Sequence, residues 1–65
     1  MTTQEILAEC DMRGLVVCVI RVMPPGHPHA WSAAIGDGGA PHVTGPSFEV
    51  ALVGAWRAYE MKVAA

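Results

Sequence analysis

Charge is scarce in this chain: 15% of its 65 residues are charged, and the formal net charge is −2. A general binder of the phosphate backbone needs a surplus of Lys and Arg, so that class is excluded. Cysteine is scarce as well. Cys10 and Cys18 stand alone, without CxxC spacing, which leaves neither a disulfide framework nor a zinc ribbon to build. Long apolar runs are missing, and residues 15–20 fall far short of the roughly 20 needed to span a bilayer. The N-terminus lacks the basic start and long apolar core of a signal peptide. We therefore expect a cytoplasmic protein with two reduced, buried thiols and no membrane association.

What is present is apolar. Hydrophobic residues make up 52% of the chain, too many for a disordered segment. Sixty-five residues form one domain, near the lower limit at which a single core holds a chain folded. Covering the remaining apolar surface by homodimerisation or by docking on a partner is the natural expectation.

The first eleven residues carry Glu5, Glu9 and Asp11 and no basic side chain. One reading is a solvated helix face. The other is an acidic patch aimed at a basic partner.

Thr2-x-x-Glu5 is a capping box: the Thr2 hydroxyl accepts from the Glu5 amide while the carboxylate reaches back. It opens a helix over residues 3–12 with Ile6, Leu7 and Cys10 as apolar stripe, and Gly14 stops it. Residues 15–23 are rich in β-branched side chains and read as a strand. Val16, Cys18, Ile20 and Val22 are expected to face the core. That would leave Leu15, Val17 and Val19, with Arg21, on a face that one helix layer does not cover, a surface for a dimer or partner.

Pro24-Pro25-Gly26-His27-Pro28 is a stiff turn. A second strand over residues 29–35 places Trp31, Ala33 and Ile35 on one face. Gly36-Asp37-Gly38-Gly39 is a hairpin turn requiring positive φ, and a short third strand covers residues 42–44. Ser47 caps a second helix with Glu49 in its first turn. Phe48, Leu52, Ala55, Trp56, Tyr59 and Val63 recur at helical spacing as its core stripe. Gly54 with Ala51, Ala55 and Ala58 permits close approach to the sheet. The fold class is α+β, a three-stranded antiparallel sheet with N- and C-terminal helices in the order αβββα.

His27, His29 and His42 are the natural candidates for a metal or catalytic site, but nothing fixes a fourth ligand and a proline between two histidines is no ligand spacing. The glycine turn lacks the Lys-Ser/Thr of a phosphate loop. The carboxylates form no pair suited to general acid–base work, and no serine or cysteine has a nucleophile's context. We expect no catalysis, no cofactor and no metal.

Gly26-His27 and Pro41-His42 resemble the Gly-Ser-His and Pro-x-His segments of HicA-like toxin ribonucleases, although the serine is absent and Pro28 follows directly. Gly45-x-Ser47-x-x-x-Ala51-x-x-x-Ala55 resembles the start of the second helix of double-stranded RNA-binding domains. That family grips phosphate with lysines there, whereas Phe48, Glu49 and Leu52 stand in their place, so RNA binding is not implied. From Leu15 onward the chain is similar to the βββα module of HicB-like antitoxins, where a Ser/Thr-capped helix with x-Glu-x-Ala-Leu follows the third strand. No DNA-binding helix-turn-helix or ribbon-helix-helix follows it here. The small, acidic profile without catalytic motifs resembles that of phage-encoded inhibitors of bacterial defence, the anti-CRISPR proteins.

That last resemblance implies a binding protein whose Glu5, Glu9, Asp11, Asp37 and Glu49 meet a basic nucleic-acid-binding surface of a CRISPR-Cas complex in the host cytoplasm. The alternative expectation is a HicB-like antitoxin or dimerising interaction module that neutralises a cognate toxin through Val17, Val19 and Arg21. Either way the partner is a protein, not nucleic acid directly.

Overall fold

The computed structural model describes residues 1–36 and 40–64. Helix α1 (Thr3–Arg13), strands β1 (Val16–Arg21), β2 (Trp31–Gly36) and β3 (Val43–Gly45), and helix α2 (Phe48–Ala64) follow in that order. The strands form one antiparallel sheet in the order β1-β2-β3. This is the expected αβββα architecture.

Local signals set the element ends. The Thr2 hydroxyl accepts from the Glu5 amide at 3.2 Å, and the Thr2 amide donates to the Glu5 carboxylate at 2.9 Å. At the other end Gly14 takes up φ 68°, a left-handed conformation that glycine adopts without a Cβ clash. Its amide donates to the Asp11 carbonyl, and the Leu15 amide donates to that of Cys10. The β1–β2 connection turns on Pro25 and Gly26. The His27 amide donates to the Pro24 carbonyl at 3.2 Å, and Gly26 has φ 93°, as a turn with proline second and glycine third requires. Ser47 caps α2, its hydroxyl accepting from the Val50 amide.

Both helices share one side of the sheet. Ile6 and Cys10 of α1, Ala33 and Ile35 of β2, and Ala51, Leu52, Ala55 and Trp56 of α2 form a single buried cluster. Fully burying Ile6 and Leu52 stabilises the fold by about 2–3 kcal/mol each. Small residues bring α2 close: a Cβ on Gly54 would meet Val43 Cγ1 at 2.6 Å. Trp31 meets Phe48 edge to face with centroids 6.0 Å apart. The Arg13 guanidinium lies 5.5 Å from the Trp56 ring centroid and pairs with Glu9 at 2.8 Å.

Four expectations are corrected. The core-facing residues of β1 are Val17 and Val19, with Leu15 leading in, and not Val16, Cys18, Ile20 and Val22. Every position of this strand up to Ile20 is apolar, so its own alternation favours neither face. The hairpin chooses: it pairs Val17 with Ile35 and Val19 with Ala33, and paired residues of an antiparallel ladder share a face. Cys18 is consequently exposed and only Cys10 is buried; both thiols are free. Val63 is 64% exposed, because α2 runs on past the end of the sheet that its earlier turns cover. Leu7 likewise points more to solvent than into the α1 stripe.

Candidate protein-interaction surface

The face of the sheet opposite the helices carries Val16, Cys18 and Ile20 from β1, Ser32 and Ala34 from β2, and Thr44 from β3, as the pairing register requires. Val16 is 66% and Ile20 49% exposed, whereas Ser32 and Ala34 are buried at 7% and 8%. The two small residues of the central strand are shielded by taller neighbours within the sheet. Beside this covered pair stands an aliphatic ridge of Val16 and Ile20, and the exposed Val22 follows it beyond the strand. None of these residues is charged. Sequence alternation assigned the ridge to the core, yet Ser32 and Ala34 at alternate positions of β2 already mark the thinner side. Combined with the hairpin pairing, that signal identifies the free face.

Histidines border this face on its β3 side. The Ser32 hydroxyl lies 3.2 Å from His42 Nδ1, and the Thr44 hydroxyl 2.9 Å from His29 Nδ1. The His29 amide donates to His27 Nδ1 at 3.0 Å. The Ser32–His42 contact is absent from any reading of the sequence, because it joins β2 to the residue just before β3. Ser32 is buried, and among the described residues no carboxylate hydrogen-bonds His42, so the pair lacks the oriented base of a serine nucleophile. Among the described residues no three His, Cys, Asp or Glu side chains gather as metal ligands.

The acidic residues are dispersed. Glu5 is occupied by the capping box, where the Thr2 amide donating to it, with the Thr2 side chain alongside, holds its carboxyl below the ordinary carboxylate value. Glu9 lies one turn along and is ion-paired with Arg13. Asp11 is exposed, but two residues on from Glu9 it points about 200° around the helix, to the other side. Glu49 is on α2, at the rim of a groove of about 400 Å³ that it shares with Val43, Val50, Val53 and Arg57. Asp37 lies outside the described residues. The structure thus brings together Glu5 and Glu9 alone, and each already has an intramolecular partner.

Neither a protein-family model, nor a curated protein, nor a solved structure matches the chain. Among the described residues no helix is long and apolar enough to cross a membrane.

Proposed function

We propose that this chain is a non-catalytic protein-interaction module that takes its partner on the helix-free face of the sheet. The uncharged ridge of Val16, Cys18, Ile20 and Val22 carries the reading: exposed aliphatic side chains in one contiguous strip mark interaction sites. Complementarity calls for a partner patch that is apolar and uncharged, since a buried unpaired charge is costly there. This is the interaction-module alternative, moved from the Val17–Val19 face to the opposite one.

An inhibitor acting through carboxylates would use Asp11 and Glu49, the exposed acidic residues of that set with neither a side-chain hydrogen bond nor an ion pair among the described residues. A pull-down from bacterial lysate separates the two readings. We expect a partner captured at low salt to remain at high salt, to be lost with Val16→Lys/Ile20→Lys, and to be kept with Asp11→Ala/Glu49→Ala. Capture lost at high salt and with the acidic double variant, but kept by the sheet variant, would overturn the reading and favour the inhibitor of a basic surface.

A further inference from the structure

The two edges of this sheet are built differently. The Val22 amide donates to the Ala30 carbonyl at 2.8 Å, which fixes the 22/30 pair as hydrogen-bonded. Stepping by two, the even residues of β1 turn their N–H and C=O groups towards β2, and the odd residues turn theirs outward. Val17, Val19 and Arg21 therefore present backbone donors and acceptors along a free edge. The odd residues of β2 serve β3, so Trp31/Gly45 and Ala33/Val43 are the bonded pairs and Thr44 points outward. That edge is closed down by design features common in native sheets. β3 has three residues, Pro41 ends its pairing, and Pro46 stands where the next outward donor would be. Within its six residues β1 has no such protection: no proline, no bulge, and no charge before Arg21, and the Val22 and Met23 amides share the Ala30 carbonyl as a bulge only past its end.

We propose that the β1 edge pairs antiparallel with β1 of a second copy of this chain, giving a continuous six-stranded sheet. The odd residues supply the bonds, so the register must pair odd with odd. Two such registers keep equal overlap, and the one that holds the two Arg21 residues farther apart sets Val17 against Val19 of the second copy and Cys18 against Cys18 of the second copy. Val16 then opposes Ile20 of the second copy, and cross-strand β-branched pairs of this kind stabilise a sheet. A second copy fits by charge. Residues 14–20 carry none, and each Arg21 falls opposite Leu15, so the two guanidinium groups stand about 20 Å apart at 3.4 Å per residue. That separation exceeds the Debye length of about 10 Å at 0.1 M salt. Leu15 contributes only its carbonyl, because its amide already donates to Cys10. Both helices lie on the side of the odd residues, so the joined sheet would carry two copies of the apolar ridge side by side. This inference concerns the strand's edge and stands apart from the face reading above.

The test uses the full chain at 50 µM and 1 mM. Sedimentation equilibrium should show the mass approaching that of a dimer, and NMR hydrogen exchange should show the Val17 and Val19 amides slowing at least tenfold with concentration. The Thr44 amide on the closed edge should be unaffected. Diamide, which takes up the two thiol hydrogens, should trap a covalent dimer in wild type and none in Cys18→Ser. A non-bonded antiparallel pair places Cα atoms about 4.5 Å apart, within disulfide span. Val19→Pro removes an outward donor without touching the ladder to β2 and should leave a monomer; if it fails to fold, the exchange result decides. A monomer at 1 mM would overturn the proposal, as would a dimer with those amides unprotected. Protection without a Cys18 cross-link would overturn the register.

Discussion

Gly54 of α2 lies directly against Val43 of β3, so close that a β-carbon at position 54 would stand 2.6 Å from Val43 Cγ1. Gly54→Ala therefore sets two effects in opposition. Alanine is worth up to about 1 kcal/mol over glycine within a helix, while forcing a methyl group into an occupied site costs about 1–3 kcal/mol. Val43 is β-branched and stiff about χ1, so overpacking wins, and urea denaturation should show a net loss of about 1 kcal/mol. In a Val43→Ala background the same change should instead stabilise by up to about 1 kcal/mol. Equal effects in the two backgrounds would show that helix and strand do not meet there.

The two thiols should differ sharply in reactivity. Burial pushes the Cys10 thiol up from its ordinary value, with the Arg13 charge opposing, and little of its surface is open. Cys18 is exposed on the free face. Titration of the folded protein with an aromatic disulfide reagent should release one equivalent quickly and the second only on unfolding. Cys18→Ser should remove the fast phase alone; loss of the slow phase would reverse the strand's facing.

Acid should weaken α1 first. The Thr2 hydrogen bonds lower the Glu5 pKa in the folded state, so its contribution is fully present above the unfolded value. It is then lost as pH falls through the lowered folded value, beginning below about 4.3. Glu5→Gln should flatten this part of the stability profile, followed by helical ellipticity from pH 6 to 2. An unchanged slope would show that the capping box is not formed in solution.

Much of the fold was legible because its signals are contiguous. The capping box Thr2–Glu5, the left-handed stop at Gly14, the Pro25-Gly26 turn and the Ser47 cap each act within about four residues. Each is found where the sequence places it. Strand edges moved by a residue or two: β3 is Val43–Gly45 where residues 42–44 were expected. Of the partner-binding set, Glu5 and Glu9 turned out to have local structural roles that their own spacing announces, a cap and an i,i+4 pair with Arg13.

The sequence by itself determined which segments become helix and strand, where each helix begins, and that too little charge exists to hold a polyanion. Those properties depend on backbone preferences and on neighbours one turn away. Only the tertiary structure decided which side of β1 enters the core, because residues 15–20 are apolar on both sides and the choice passes to Ile35 and Ala33 across the hairpin. It also decided which sheet edge stays open. Strand order and hydrogen-bond phase place Pro41 and Pro46 on one flank and leave Val17 and Val19 on the other, and neither quantity exists until the strands have paired.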